Sequence, residues 1–493
     1  MSKRGHMLIR IVFIVLVFSL GVSTASAQPS KRVISGMIVC EEEQRPLEGV
    51  SVNAKGSSLL TGSQPDGVFY LPVTTADSVL VVQMEGFEPK EIKLEAVNEY
   101  KITLRRKRII ERTFQGEWRG EFILQDLKLP FRFTIERQGS GNKAYFINGE
   151  ERFEAGPVEL RGDSLYVTSL LFDTELAFKI DADNIYGSFR KQDGSGRAFP
   201  IQAERGITTR FPATSKPLYN ISGTYDVIFK QADGSTVKSV GLFTQKENTL
   251  QAVFLKTTGD SRFLEGVVNG DQLQLSSFIG SSPSYYEAEI SKDGTIEGKV
   301  RGLGGSSQSF IAVKNDQASL PDPYALTYLK PGFTQFNFAL PNLAGKTISL
   351  KDPAYAGKVV VITLTGSWCP NCMDEASFLS PWYKSNRARG VEAIAIHFER
   401  STDPQFLEKA LTRFKDRFNV SYEQVIGGIA DKKVVADAFP ALNNFLAFPT
   451  TVFIDKKGNV AKIYTGYSGP ATGKYHEQFI KEFNAEIDKL LAQ

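Results

Sequence analysis

The chain has 493 residues, 42% of them hydrophobic, with 58 Lys and Arg against 55 Asp and Glu, three histidines and three cysteines. That length accommodates three or four domains, and the apolar share is ordinary enough for each to bury a core. A charge balance so near neutral argues against nucleic acid or an anionic membrane as the main partner.

Residues 1–27 read as a secretory signal peptide. Lys3, Arg4 and Arg10 form a basic start, Ile11 to Val22 an apolar core too short to span a bilayer, and Ala25-Ser26-Ala27 a small-residue cleavage site before Gln28. Removing it takes away three of the 58 basic residues and none of the 55 acidic ones, so the mature chain is formally neutral and membrane contact is not expected of it. Export also bears on the cysteines, because in an oxidising compartment a Cys pair is structural or a redox centre.

Residues 28–110 carry short alternating runs bracketed by turn residues, among them Gly36 to Val39, Val50-Ser51-Val52, Val68-Phe69-Tyr70-Leu71 and Leu80-Val81-Val82. This is the pattern of a small β-sandwich. The order of these pieces resembles a carboxypeptidase-regulatory-like domain, which implies a transthyretin-like sandwich of about seven strands that binds or spaces. Cys40 lies in a strand-like stretch and reads as a buried inert thiol. A lipid-bearing cysteine would need a small residue before it, where Val39 stands. Arg105-Arg106-Lys107-Arg108 reads as a basic edge between domains.

Residues 111–206 and 207–315 read as two related β-rich repeat units. Gly116-Glu117-Trp118 recurs as Gly223-Thr224-Tyr225, Gly162-Asp163-Ser164-Leu165 as Gly270-Asp271-Gln272-Leu273, and Ile185-Tyr186-Gly187 as Ile296-Glu297-Gly298. Each is strand after strand, barrel or sandwich, with aromatic residues expected in the core. Residues 316–335, with Pro321 and Pro323, read as a linker.

From residue 336 the period changes to β/α alternation. The apolar run Val359 to Leu364 predicts a buried parallel strand. Strands are expected at 392–398, 451–455 and 460–464, and helices at 404–418, with Asp403 as its N-cap, and at 474–491. Directly after the first strand comes Trp368-Cys369-Pro370-Asn371-Cys372. A cysteine at a strand-to-helix turn faces unpaired N–H groups and the positive end of a helix dipole, which favour the thiolate. Cys369 is therefore the expected nucleophile, and Cys372, one turn further in, the resolving thiol that closes the Cys369–Cys372 disulfide. A structural zinc site would need further ligands, and this region supplies only His397 and His476, so neither a metal nor any other cofactor is expected.

Residues 328–493 resemble the TlpA/ResA-like thiol-disulfide oxidoreductases of thioredoxin fold. The resemblance rests on Lys330-Pro331-Gly332, Gly357-Lys358, Trp368 to Glu375, Phe448-Pro449-Thr450-Thr451 and Lys457-Gly458-Asn459. It implies protein thiols and disulfides as partners, with an upstream membrane or periplasmic electron donor. Trp368 would shield the site, Pro449 would occupy the cis-proline position and turn the Phe448 backbone toward a bound peptide, and Glu375 would line the cavity and assist proton transfer. A solvated first-turn carboxylate is the competing reading of Glu375. Thr363 stands where thioredoxin has its buried Asp, and Asp374 points elsewhere on the helix. Pro381 is expected to interrupt the first helix, and 430–446 is longer than in compact thioredoxins. The whole reads as a multidomain chain: an all-β sandwich, two β-rich repeat units and a C-terminal α/β thioredoxin fold. It reads as an exported oxidoreductase acting as a reductase. The competing readings are an interaction protein whose β-modules bind glycan or protein, and a thiol peroxidase, which would need Thr where Gly366 stands.

Overall fold

The computed structural model describes residues 31–41, 43–105, 114–181 and 184–493. The expected leader and all of the basic edge but Arg105 lie outside them. The chain divides into two compact units, Met1–Arg112 and Thr113–Gln493.

Among the described residues the first unit has seven strands in two sheets. In one, Lys31–Cys40 is central, antiparallel to Val68–Thr74 and parallel to Glu99–Leu104; the other runs Leu60–Gly62, Ser51–Ala54, Val79–Gln83, Lys90–Lys93. Alternation places Phe69, Leu71 and Val73 in the core and leaves Tyr70 outside, as a two-residue period requires. Cys40 is fully buried in the same core.

The second unit opens with eight antiparallel strands between Gly116 and Arg205 that close into a barrel. Trp118 and Phe122 face its interior while Arg119 and Glu121 do not, and Gly120 sits where a Cβ would lie 2.2 Å from the Phe131 ring. A second barrel, Gly223 to Lys314, repeats the strand order and is closed by pairing of Thr236–Lys246 with Thr249–Lys256. The repeated glycines fall on equivalent turns, Gly162 at φ +62° and Gly270 at φ +63°, where the left-handed backbone suits glycine. Phe278 of the second barrel packs edge-on against Phe122, Phe146 and Phe189 of the first, and its backbone exchanges two hydrogen bonds with Asn148.

The C-terminal sheet orders β3-β2-β1-β4-β5, where β1 is Val359–Thr365, β2 Val391–Glu399, β3 Glu423–Ile429, β4 Thr450–Ile454 and β5 Val460–Thr465. The strands β1, β2 and β3 are parallel, whereas β4 and β5 are antiparallel to their neighbours. Helices α1 (Pro370–Asn386), α2 (Pro404–Phe418), α3 (Lys432–Ala438) and α4 (Lys474–Leu491) complete the domain. Asp403 caps α2 by accepting the Phe406 N–H at 2.9 Å. Phe479, Phe483, Ile487 and Leu490 form the buried stripe of α4.

One expectation changes here, and two stretches gain structure. Pro381 does not interrupt α1, which continues to Asn386: a proline inside a helix removes one backbone bond, and burial of Leu379, Ser380 and Tyr383 holds the turn. Residues 316–335 are not a free tether, since Thr327 is fully buried with its hydroxyl 2.8 Å from that of Thr465, and Thr465 N–H donates to Pro323. The long stretch 430–446 contains α3, capped by Asp431. Among the described residues no helix is long and apolar enough to cross a membrane.

Candidate active site

Strand β1 ends and α1 begins across Gly366 to Pro370, which fixes where the first cysteine must lie. Cys369 is the N-cap of α1 in extended backbone, and its Sγ accepts the Cys372 N–H at 3.4 Å. That bond answers one of the unpaired donors of the first turn. The Cys369 thiol also donates to the Phe448 carbonyl at 3.6 Å. Both cysteines are free, the dithiol state, with Cys369 only 6% exposed and Cys372 wholly buried. Burial first, and then its bond to Cys369, push the Cys372 thiol well above its ordinary range, with the Glu375 charge adding to the shift.

The candidate residues converge. The Phe448-Pro449 peptide is cis, and Phe448 stands edge-on to Trp368 at 5.8 Å. Trp368 is half-buried, anchored by its indole N–H on the Phe398 carbonyl at 2.9 Å. Gly366 lies beneath it, and a Cβ there would come within 2.5 Å of Trp368 Nε1 and 2.7 Å of the Phe398 carbonyl, so threonine has no room. Glu375 is 4% exposed, which excludes the solvated first-turn carboxylate. It accepts a hydrogen bond from the Thr451 hydroxyl, and burial raises its pKa to about 8 against that bond. Thr451 pairs across the sheet with Thr363, itself buried.

Two further layers had no sequence signal strong enough to single them out. Behind the motif, Glu399 accepts from Ser367 N–H and Ser367 hydroxyl, each at 2.7 Å, and its Oε1 lies 3.3 Å from Nδ1 of fully buried His397. A His and a Glu two apart on a strand share a face, which was the available hint. On the other side stands the second barrel. Its turn at 257–263 lies against Pro370 and Asn371, the two residues between the cysteines. Gly259, at φ +133°, has the Asn371 amide where a Cβ would be, 2.3 Å away. Asn371 donates to the Asp260 carbonyl at 3.3 Å, and Asp260 Oδ2 accepts Gly469 N–H at 2.7 Å. Arg262 donates to the Pro370 carbonyl at 3.0 Å, pairs with Asp374 at 2.5 Å and bonds Glu151 of the first barrel. Burial raises Asp374 to about 7 although Arg262 opposes it, and it raises Asp260 as well. Asp374 thus points away from the dithiol, into the barrels. The loop Gly466 to Gly473 is what Asp260 grips, through the Gly469 N–H.

Among the described residues there is no cluster of three or more His, Cys, Asp or Glu placed to hold a metal. The arrangement suits two-electron thiol chemistry: a near-surface sulfur at a helix start, a buried protonated partner one turn in, and a carboxyl that titrates near neutrality beside it.

Comparison with known proteins agrees with this chemistry. Residues 332–463 match the AhpC/TSA family model. The chain is 31% identical over 155 residues to the thiol-disulfide oxidoreductase ResA of Halalkalibacterium halodurans, covering 31% of this chain and 75% of that protein. A ResA of Geobacillus thermodenitrificans is also 31% identical over 155 residues, with 80% of its length covered. Among solved structures, a thiol-disulfide oxidoreductase from Bacteroides fragilis aligns at 19% identity and TM-score 0.23, over 30% of this chain and 99% of its own.

Proposed function

Because the chain belongs to the ResA-like thiol-disulfide oxidoreductases, we propose that Cys369 and Cys372 exchange a dithiol for a disulfide with exported protein partners, in the reducing direction. The observation that carries this reading is Cys369 itself, an N-cap sulfur bonded to the Phe448 carbonyl beside Pro449. Cys369 thiolate attacks a partner disulfide, forming one mixed S–S bond and releasing one partner thiolate. Cys372 then attacks Cys369, releasing the second partner thiol and leaving the Cys369–Cys372 disulfide. The two electrons pass to the partner, and the Cys372 proton leaves as its sulfur attacks. Glu375, near its own midpoint at about pH 8 and close enough for its charge to act on Cys372, takes that proton. A peptide running past Trp368 would pair with the Phe448 backbone, replacing the Cys369 contact.

The lack of room at Gly366 weighs against a peroxidase, and nothing at the site favours one. The leader 1–27 would carry the chain out of the cytoplasm, where an upstream membrane or periplasmic donor would re-reduce the dithiol. The β-sandwich of the first unit, read as carboxypeptidase-regulatory-like, and the two barrels, read as a duplicated pair, would serve as spacing and partner-binding modules. Reduction of insulin by the full chain with dithiothreitol as donor tests the reading. The chain should accelerate precipitation, Cys369→Ser should not, and Cys372→Ala should accumulate mixed disulfides on a non-reducing gel. Equal behaviour of all three would overturn it.

A further inference from the structure

A polypeptide has to reach a cysteine that is 6% exposed, and one side of the motif is already closed by Gly259, Asp260 and Arg262 on Pro370 and Asn371. On the other side, Trp368 forms part of the wall of a groove of about 640 Å3. The groove runs between a 3-10 turn of the first barrel, Leu170–Phe172, and helix α2, and it meets the second barrel at Ser281 and Ser282. Its two walls are joined: Asp173, just after that turn, pairs with Lys409 at 2.6 Å and Arg413 at 2.5 Å on α2, and Arg413 also donates to the Leu170 carbonyl at 2.9 Å.

The charge of this groove is one-sided. Lys191, Arg197 and Arg400 line it and are exposed, and among the described residues none of them has a carboxylate within ion-pair distance. Arg400 lies over the Trp368 ring and Arg197 over Phe199, each 5.1 Å from the ring centroid, which holds their cationic heads at the groove. Among the described residues only two acids line it. Asp173 is taken up by Lys409 and Arg413, and Asp193 turns one oxygen to the Ser195 N–H at 2.8 Å. The aromatic surfaces of Phe172, Phe189 and Trp368 supply apolar contact between the charges.

We propose that this groove is the docking track for the protein substrate, and that it selects polypeptides with acidic side chains beside the reacting cysteines. The inference rests on the exchange reading above. Net positive charge, with no described carboxylate within ion-pair distance of Lys191, Arg197 or Arg400, placed next to the nucleophile, raises the encounter rate of an acidic segment and disfavours a basic one. The barrels then have a direct part in choosing the substrate, one supplying a wall of the track and the other closing the opposite approach. In the step itself the chain's dithiol becomes a disulfide, the substrate disulfide becomes two thiols, and the protons of Cys369 and Cys372 are balanced by those gained on the substrate sulfurs.

Stopped-flow oxidation of the reduced full chain by two synthetic peptides tests the proposal. Each peptide carries one intramolecular disulfide, flanked by glutamates in one and by lysines in the other, with hydroxyethyl disulfide as a small neutral oxidant. The acidic peptide should react about tenfold faster than the basic one at low ionic strength. That ratio should collapse toward one as salt approaches about 1 M, where screening acts within roughly 3 Å. Lys191→Glu with Arg197→Glu, its fold checked by circular dichroism, should invert the preference. Equal rates for the two peptides, a preference that salt does not weaken, or a ratio that the folded double variant leaves unmoved would each overturn the docking proposal. The salt series needs no variant and stands if the double variant fails to fold. If the chain reacts with neither peptide nor with hydroxyethyl disulfide, the exchange reading fails instead.

Discussion

At the scale of single residues, Glu375 has the sharpest consequence. An ordinary glutamate titrates near 4.5, and this one is raised to about 8 by burial. Below about pH 4.5 both folded and unfolded chains are protonated there. Between 4.5 and about 8 the unfolded chain ionises while the folded one stays neutral, so stability falls as pH rises through that window and the loss is complete above it. Glu375→Gln removes this contribution. The variant should lose less stability between pH 5 and 8.5 than the parent, by on the order of a few kcal/mol at most, as read from guanidinium denaturation at the two pH values. Its exchange rate should lose the inflection near pH 8, because the amide cannot take the Cys372 proton. Parallel stability slopes and identical pH–rate profiles in parent and variant would remove Glu375 from the mechanism.

At the scale of elements, the start of α1 is governed by a turn more than a hundred residues earlier in the chain. Arg262 pairs with Glu151 and Asp374, acts on Asp260, and also holds the Pro370 carbonyl. Burial works against its charge, and Asp374 and Glu151 more than offset this, raising its pKa. Arg262→Met should therefore leave buried acids uncompensated, at a cost of about 3–5 kcal/mol, and should raise Asp374 further above 7. It should also move the dithiol–disulfide equilibrium against glutathione buffers, since the turn between the cysteines loses its anchor. Arg262→Lys, which keeps the charge and loses the fork, should recover part of the stability. An unchanged denaturation midpoint together with an unchanged glutathione equilibrium would make this contact incidental. None of it is visible in the linear chain. Strands and helices such as β1, α2 and α4 were legible because their apolar periods and caps are local, and the cysteine pair was legible because its spacing carries its own chemistry. Asp260 and Arg262 sit in an unremarkable turn whose meaning comes from a long-range contact. The path of α1 through Pro381 was misread because a local breaker was weighed without the packing that outweighs it.

At the scale of the second unit, the barrels and the redox domain share one buried core. The same apolar cluster holds Phe122, Phe131 and Phe133 inside the first barrel, Phe278 of the second, and Met373, Leu379, Phe479 and Phe483 of the redox domain. A redox domain cut out at residue 336 would expose part of that surface, so activity is best read on the whole chain. Phe278 is a central piece of the joint between the barrels: it is 1% exposed and makes aromatic contacts with four phenylalanines of the first barrel. Phe278→Ala should cost about 3–5 kcal/mol through lost contact and the cavity left behind. If the core is continuous in energy as well as in space, that loss should lower the denaturation midpoint of residues 113–493 as a whole, with near-ultraviolet circular dichroism and tryptophan fluorescence moving together. Trp118 reports on the first barrel, whereas Trp368 and Trp382 report on the redox domain. In a series of Trp→Phe backgrounds that leave one reporter at a time, the Phe278→Ala midpoint should shift equally for all three. A shift confined to Trp118, with the redox-domain reporters unmoved, would mean that the barrels fold as a separate block and only lean on the dithiol site.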